Sequence, residues 1–278
     1  MLTRNITTTR RAVSLFSMLL TVVALAAGVA EAQTATSSST YQPQVGQAGK
    51  DVVWVPTPQT LVDKMLEMAK ASRTDYLIDL GSGDGRTVIT AAKLGIKAHG
   101  IEYNPDMVEL AKKNAATAGV ASTATFAKAD LFESDFSKAS VITMFLLPSI
   151  NMKLRPTLLN LKPGTRIVSN TFTMEDWEAD DTQTVGGDCT SWCTALLWYV
   201  PAKVEGAWQV GQQTLTLTQK FQMVSGSLGS SPISGGRLRG DEISFSVGQA
   251  RYTGRVEGNT IRGTIAGGSG GNWAATRR

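Results

Sequence analysis

One octapeptide has the residue types and the spacing of a ligand-binding turn. It runs from Asp79 to Arg86 as Asp-Leu-Gly-Ser-Gly-Asp-Gly-Arg, after one apolar run and before another. Gly81 and Gly83 permit a tight turn and a close approach of the backbone to a ligand. A helix that starts beyond Gly85 offers backbone amides to a carboxylate, and Asp79 can accept a hydrogen bond from an ammonium group. The segment predicts a site for a ligand with an amino-acid portion.

Two further acids extend this predicted site. Glu102 closes a second apolar segment, 21 residues after Gly81, and is suited to bind both hydroxyls of a ribose. Asp130 follows a third such segment and can accept a hydrogen bond from an adenine amino group. Amino acid, ribose and adenine together are the parts of S-adenosylmethionine (SAM). The candidate SAM-binding residues from these segments are Asp79, Gly81, Ser82, Gly83, Glu102, Tyr103, Asp130 and Leu131.

A nicotinamide-dinucleotide site is the alternative, because it shares the acid at the end of the second strand. Its glycine motif needs glycine or alanine where this chain has Arg86, and it gives no role to Asp79 or Asp130. Three acids after three successive strands therefore favour methyl transfer over hydride transfer.

The elements around these acids alternate between strand and helix. The spacing predicts helices that begin near Pro58, capped by Thr57, and at Pro105, capped by Asn104. Strands followed by helices predict a parallel sheet covered on both faces, and a final antiparallel pair would complete a Rossmann-like α/β sheet of seven strands. The predicted strands are Tyr76–Leu80, Ala98–Glu102, Thr123–Ala127, Val141–Leu146, Gly164–Phe172, Thr182–Val185 and Ala195–Val200, and the other predicted helices are Arg86–Leu94 and Ile150–Leu161.

The sequence changes character after residue 202. Residues 203–278 are dense in glycine, serine and threonine, and apolar residues alternate with polar ones in short runs. This pattern predicts a small antiparallel β-meander, of the kind that forms part of a barrel. We expect its large aromatic side chains in the core and its glycine-rich stretches in turns, with no catalytic group among them. The aromatic residues are Trp208, Phe221 and Trp273, and the glycine-rich stretches are 235–237 and 267–271.

Composition excludes several kinds of site. The formal net charge is +4, of which the first 32 residues carry +2 through three arginines and one glutamate. The remainder is too weakly basic to predict a nucleic-acid partner. His99 is the one histidine, so no metal cage with two or more histidines can form, and its strand context predicts packing instead of catalysis.

The amino terminus has the pattern of an export signal. Arginines precede an uncharged run from Ala12 to Ala30, and small residues at Ala30 and Ala32 predict cleavage before Gln33. We expect a periplasmic or secreted protein that meets the membrane only through this signal; Arg10-Arg11 gives a weak twin-arginine resemblance. The alternative is a membrane anchor formed by residues 12–30. The predicted organisation is signal 1–32, flexible linker 33–50, SAM-binding domain 51–202 and β-meander 203–278.

Cys189 and Cys193 lie in a glycine-rich turn between the last two predicted strands of the sheet. A disulfide between them would suit an exported protein and would hold a hairpin. Two free thiols are equally compatible with a spacing of four residues.

Residues 51–201 resemble the seven-strand, class I SAM-dependent methyltransferases that modify protein lysines. These include broad-specificity archaeal enzymes and mitochondrial enzymes acting on ATP synthase and on the adenine-nucleotide carrier. The resemblance implies that the segment before the first strand folds over the cofactor, which makes Pro56 and Thr57 candidate SAM contacts. It also implies a protein-lysine acceptor. The matching segments are Val55–Pro58, Asp79–Arg86, Gly100–Glu102, Asp130–Phe132, Leu146–Pro148 and Lys162–Ser169.

One motif departs from this resemblance. Such enzymes often have Ser-His-Asp-Phe after the fifth strand, where residues 169–172 are Ser-Asn-Thr-Phe, so we assign no catalytic base. Phe145, Leu146 and Pro148 are the predicted wall on the acceptor side. The predicted function is in-line methylation of a protein lysine at nitrogen. The alternative is an exported protein that keeps the SAM fold for binding or structure and has lost catalysis, because SAM is made in the cytoplasm.

Overall fold

The computed structural model describes residues 41–187, 189–268 and 270–278. The predicted signal, its alternative as a membrane anchor, and the linker as far as residue 40 lie outside the described residues. None of the helices in the described part has the length and apolarity needed to cross a bilayer.

The first part of the described chain is a seven-stranded sheet. Its strands are β1 (Tyr76–Leu80), β2 (Lys97–Glu102), β3 (Ala124–Lys128), β4 (Val141–Met144), β5 (Arg166–Asn170), β6 (Asp181–Thr184) and β7 (Thr194–Tyr199). Their order is β3-β2-β1-β4-β5-β7-β6, with five parallel strands and β7 antiparallel to both neighbours. This order confirms the predicted Rossmann-like methyltransferase sheet and brings the carboxyl ends of the parallel strands to one edge.

Four helices cover the sheet: α1 (Gln59–Met68), α2 (Arg86–Lys93), α3 (Pro105–Thr117) and α4 (Pro148–Leu158). Successive strand residues point to opposite faces, so Leu77 joins the apolar cluster under α1, α2 and α3, whereas Ile78 joins the cluster under α4. Apolar packing on both faces explains why the central strands are almost continuous hydrophobic runs.

Local chemistry places the helix starts differently from the prediction at two points. The Asn104 side chain does accept from the Asp106 and Met107 amides, as expected for a cap. The cap of α1, however, is Pro58, and the Thr57 hydroxyl instead accepts from the Asn170 amide group. Pro148 begins α4 at its first position instead of preceding a helix that starts at Ile150.

The last two strands of the sheet form a hairpin closed by a disulfide. β6 and β7 pair from Asp181–Leu197 to Thr184–Thr194, one residue before the predicted bounds. Cys189 and Cys193 are bonded, with 5.8 Å between their Cα atoms. The disulfide thus decides between the two states that the spacing leaves open.

Residues 206–277 form a second sheet that closes on itself. Its strands are β8 (Gly206–Val210), β9 (Gln213–Lys220), β10 (Met223–Leu228), β11 (Ser231–Pro232), β12 (Ser234–Arg239), β13 (Glu242–Val247), β14 (Ala250–Glu257), β15 (Thr260–Ala266) and β16 (Gly271–Arg277). Each long strand pairs antiparallel with the next, and β16 pairs with β8. The predicted meander is therefore a complete eight-stranded barrel, with β11 as a short addition beside β10.

The barrel interior is packed with apolar side chains. Trp208 and Trp273 lie in this core, as predicted. Phe221 does not: it occupies the β9–β10 turn and stacks on Trp177 of the α/β part, with 5.9 Å between ring centroids. Residues 235–237 lie within β12 at a bulge and not in a turn, whereas residues 267 and 268 do follow β15 as expected.

Polar contacts also join the barrel to the α/β part. Gln222 donates to the Glu178 carbonyl at 2.8 Å, and Arg237 forms an ion pair with Asp180 at 2.6 Å. Trp177, Glu178 and Asp180 belong to the segment between β5 and β6, so this one connection carries much of the contact.

Candidate active site

Asp79 lies at the carboxyl end of β1 and is buried, with 6% of its surface exposed. Thr143 on the neighbouring β4 donates to its Oδ1 at 2.7 Å. Burial raises the pKa of Asp79 to about 7, against the lowering effect of the Thr143 hydrogen bond, and the nearby Glu102 and Asp84 carboxylates raise it further. A cationic group beside Asp79 would reverse this effect and favour the carboxylate.

Glu102 ends β2 and is held by two backbone amides. Its Oε2 accepts from the Gly83 amide at 2.9 Å, and its Oε1 accepts from the Asn104 amide at 2.9 Å. These bonds tie the second strand to the glycine turn and orient the carboxylate. Each oxygen retains a lone pair, which is what two ribose hydroxyls would require.

Asp130 follows β3 and is already paired on both oxygens. Phe132 donates its amide to Oδ1 at 2.9 Å, and Lys50 forms an ion pair with Oδ2. The hydrogen bond from Lys50 lowers the pKa of Asp130, and the Phe132 amide lowers it further. Lys50 also lies over the Tyr103 ring, 4.9 Å from its centroid. A ligand that binds Asp130 therefore meets a carboxylate that is already paired with Lys50.

The glycine turn between β1 and α2 has the backbone that its sequence predicts. Gly81 and Gly83 have φ of 77° and 52°, in the left-handed region that glycine adopts without strain. A Cβ on Gly83 would lie 2.7 Å from the Trp54 indole nitrogen, so a side chain there has no room.

All three acids line one cavity of about 210 Å³. Every candidate cofactor residue predicted from the sequence lines the same cavity: Pro56, Thr57, Asp79, Gly81, Ser82, Gly83, Glu102, Tyr103, Asp130 and Leu131. Residues 47–50, which the sequence predicts to be part of the flexible linker, line it as well. The parallel sheet thus brings distant parts of the chain to one edge.

Residues 46–57, which precede α1, form a strap that lies over this cavity. The Gly46 amide donates to the Trp54 carbonyl at 2.8 Å, and the Trp54 amide donates to the Gln47 carbonyl at 2.9 Å, which folds residues 46–54 back on themselves. Arg86 donates to the Thr57 carbonyl at 3.0 Å while it pairs with Asp84 at 2.6 Å. The guanidinium therefore ties the strap to the glycine turn.

The cavity continues past the acids to an apolar side. Phe145 and Leu146, two of the three predicted wall residues, line it, and Phe172 and Trp192 lie beside them. The third, Pro148, is not among the residues that line it. The lining has five carboxylic acids and two basic side chains, an excess of three acids: Asp51, Asp79, Asp84, Glu102 and Asp130 against Lys50 and Arg86.

The residues present fit the amino-acid portion of SAM. Ser82 is buried, and its hydroxyl has no hydrogen-bond partner among the described residues. Asp79 is buried with a hydroxyl as its donor. Buried polar groups are normally fully paired, so a hydroxyl and a carboxylate with unused capacity indicate a polar ligand. No group of three or more His, Cys, Asp or Glu side chains in the described residues is placed to hold a metal ion.

Comparison with known proteins agrees with this geometry. The family model described as the ANTKMT methyltransferase domain matches residues 79–181. A protein-lysine N-methyltransferase of Saccharolobus islandicus is 47% identical over 45% of this chain and 80% of its own length. This chain belongs to the ANTKMT-type family of SAM-dependent methyltransferases.

Two other relatives differ in their acceptors. The mouse adenine nucleotide translocase lysine N-methyltransferase is 33% identical over 46% of this chain, but only 56% of the mouse protein is matched. A Salinibacter ruber RNA methyltransferase, solved with S-adenosyl-L-homocysteine, is 49% identical, with a TM-score of 0.51 over 54% of this chain and 96% of that one. The cofactor of this methyltransferase is SAM, whereas the acceptor differs among its relatives.

The sequence did not identify three residues that shape the site of this methyltransferase. Lys50 forms an ion pair with Asp130, and the Trp54 indole packs against Gly83. Arg86 donates a hydrogen bond to the strap. Trp54 had a signal, since it lies in an apolar run directly before the Pro56-Thr57 motif. Nothing local marks Lys50, because its partner is 80 residues away.

The departure at residues 169–172 has a structural account. Asn170 is fully buried and donates to the Thr57 hydroxyl at 3.3 Å, and Ser169 donates to the Phe172 carbonyl at 2.8 Å. These side chains therefore hold the strap and the β5 loop in place. His99 contacts Thr125 at 2.8 Å and does not line the cavity, and burial lowers its pKa.

Proposed function

We propose that this methyltransferase transfers the methyl group of SAM to the side-chain nitrogen of a lysine in a protein acceptor. The observation that carries the proposal is the acidic lining of the cavity, in which acidic side chains outnumber basic ones by three and attract a cationic side chain. The 47% identity to an archaeal protein-lysine N-methyltransferase supports the same acceptor.

SAM supplies an electrophilic methyl group on a sulfonium. The chain's own residues would orient the reactants: Asp79 and Ser82 would hold the amino-acid portion of SAM, and Glu102 would hold the ribose. Phe145 and Leu146 line the cavity and would give the acceptor side an apolar wall. Alignment in a dry pocket supplies most of what a displacement at a methyl carbon needs, so no residue is required as a strong base at this wall. The lysine loses its proton to water or to a lining carboxylate.

An RNA acceptor is the second candidate, because a 49% identical relative is an RNA methyltransferase. The acidic cavity disfavours it, since a phosphate backbone would be repelled. Incubation of the protein with [methyl-³H]SAM and a cell extract decides between the two. We expect tritium in material that protease digests and that ribonuclease does not. Hydrolysis of this material should release methyl-lysine, and the Asp79→Asn variant should give no labelled product. Label that ribonuclease removes would replace the lysine proposal with the RNA one.

We further propose that the protein is exported and that Gln33 is the mature amino terminus. The leader pattern and the Cys189–Cys193 disulfide support this location, because disulfides persist in oxidising compartments. Sequencing of the mature terminus after cell fractionation tests it. An intact Met1 in the cytosol would overturn the export proposal, and retention in the membrane would favour the anchor formed by residues 12–30.

The exported binding protein without catalysis is the remaining alternative. Purified protein that binds S-adenosyl-L-homocysteine but labels nothing in protein, RNA or lipid extracts would favour it over the enzyme.

A further inference from the structure

Three aromatic side chains form a cluster on the acceptor side of the cavity. The Phe145 ring stacks on Phe172 with 5.7 Å between centroids and meets Trp192 at 6.0 Å with an angle of 59°. Trp192 is 44% exposed, which is unusual for a tryptophan. Four of the seven large exposed hydrophobic side chains in the described residues line this cavity: Val53, Tyr103, Leu147 and Trp192. Apolar surface is thus concentrated at the rim of the site.

The backbone at this cluster is held in strained conformations. Thr171 and Trp192 have φ of 58° and 54°, in the left-handed region that residues with a Cβ rarely adopt. Only five residues other than glycine do so in the described chain, and these two lie at or beside the aromatic cluster. Such strain persists where the surroundings impose it, and it concentrates at ligand sites.

The surroundings that impose the strain are visible for both residues. Asn151 is fully buried and donates to the Phe172 and Thr173 carbonyls at 3.2 and 3.1 Å, which holds the loop after β5. Trp192 lies next to Cys193 inside the loop that the disulfide closes. The Val185 amide donates to the Cys193 carbonyl at 2.9 Å and connects this loop to the end of β6.

We propose that Trp192 is an acceptor-binding residue and that the Cys189–Cys193 disulfide positions it beside Phe145 and Phe172 to hold the ammonium group of the incoming side chain. The inference rests on the proposed lysine acceptor. An ammonium is attracted to the face of an aromatic ring, most strongly to tryptophan. The excess of acids in the cavity lining favours a cation over a nucleotide base, which would bring a phosphate with it.

Kinetics with poly-L-lysine and [methyl-³H]SAM test the role of Trp192. We expect Trp192→Ala to raise the KM for poly-L-lysine about tenfold, while kcat and the KM for SAM change by less than about twofold. Trp192→Phe keeps a ring and should restore most of the loss. Met223→Ala removes another exposed apolar side chain, on the barrel, and should change nothing. An unchanged KM for poly-L-lysine in Trp192→Ala would overturn the proposal.

The disulfide is tested in two backgrounds. Replacing both cysteines by serine should raise the KM for poly-L-lysine as Trp192→Ala does, and should add nothing when Trp192 is already alanine. Equal effects in both backgrounds would show that the disulfide acts elsewhere. Circular dichroism and thermal unfolding of each variant establish that it is folded.

A binding experiment separates this inference from the proposed activity. The indole ¹⁵N–¹H signal of Trp192, assigned by its loss in Trp192→Phe, is followed in protein saturated with S-adenosyl-L-homocysteine. We expect a saturable shift with tetramethylammonium chloride, none with uncharged neopentyl alcohol, and a loss of the shift in the cysteine double variant. In the labelling experiment, tritium in RNA alone would overturn the proposed lysine acceptor. In the binding experiment, equal shifts with tetramethylammonium and neopentyl alcohol, or no shift with either, would overturn the proposed role of Trp192.

Discussion

The α/β part and the barrel use apolar packing equally but treat buried polar groups differently. Both have buried tryptophans and leucines between their strands. Among the described residues, five buried side-chain polar atoms have no hydrogen-bond partner, and all five belong to the α/β part: those of Ser82, Asn151, Asn170, Thr171 and Trp177. Unpaired buried polar groups destabilise a fold, so they are kept where a ligand or a loop needs them. The barrel core, without them, has the composition of a structural element.

The two parts also differ in charge. Residues 41–202 contain 15 basic and 18 acidic side chains, whereas residues 203–278 contain nine and four. Five of the acids of the first part line the cavity, whereas in the barrel Arg255 pairs with its neighbours Asp241 and Glu242. The acidic excess of the first part therefore contributes to the site, whereas the second part has a basic excess and no part in the cavity lining.

The largest expected effect is that of Trp208→Ala, which tests whether the barrel core is structural and separate from the cofactor site. Trp208 is fully buried where β8 meets β16 and donates to the Val204 carbonyl at 2.8 Å. Its removal should lower the free energy of unfolding by about 3–5 kcal/mol. The affinity of the folded protein for S-adenosyl-L-homocysteine should stay within about twofold, as measured by calorimetry. If Trp208→Ala weakened S-adenosyl-L-homocysteine binding without lowering the free energy of unfolding, the barrel core would not be a purely structural element.

Two aspartates at opposite ends of β1 give the next effect. Asp79→Asn should weaken S-adenosyl-L-homocysteine binding roughly 100-fold, because a carboxylate that pairs with the ligand's ammonium is lost. Asp75 is also buried, but it pairs with Arg166 at the other end of the strand. Asp75→Asn should instead lower the free energy of unfolding by about 2 kcal/mol and leave the affinity unchanged. Similar affinities of the two variants for S-adenosyl-L-homocysteine would show that Asp79 does not contribute to binding.

The pH dependence of binding follows from the same carboxyl. Burial raises the pKa of Asp79 from 3.8 to about 7, so below pH 7 the folded protein keeps a proton that the unfolded chain has released. Stability without ligand should fall as the pH rises from about 4 to about 7. A ligand ammonium requires the carboxylate, so affinity should be roughly 30-fold weaker at pH 5.5 than at pH 8. Calorimetry across this range checks it, and Asp79→Asn should flatten the curve.

The smallest effect concerns the contact between the two parts. Arg237 is partly exposed, whereas its partner Asp180 has 5% of its side chain exposed and also accepts from the Tyr199 amide. Arg237→Ala should lower the free energy of unfolding by about 1 kcal/mol in urea unfolding. Arg251→Ala, on the same barrel without an ion pair among the described contacts, is the control. An equal loss in both variants would argue against the ion pair as a connection.

Much of the site was predictable because its residues follow strands. Asp79, Glu102 and Asp130 each come at or after the end of a parallel strand, and parallel strands bring those ends to one edge. What could not be predicted is which of them is free to bind. Lys50 pairs with Asp130 through a fold in the strap, and no periodicity or motif marks a contact across 80 residues.

The barrel and the hairpin show the same limit. Alternation predicted strands after residue 202, but closure depends on the pairing of β16 with β8, between chain segments 65 or more residues apart. The spacing of Cys189 and Cys193 allowed a bond, but the bond depends on where β6 and β7 bring the turn.

The sequence by itself determined the class of fold, the glycine turn and the acids that face the cofactor, because strand periodicity and turn chemistry are local. Only the tertiary structure decided that the strap covers the cavity, that Trp192 joins Phe145 and Phe172 at its rim, and that the barrel closes. Each of these depends on contacts between distant segments, and their geometry exists only once the sheet has assembled.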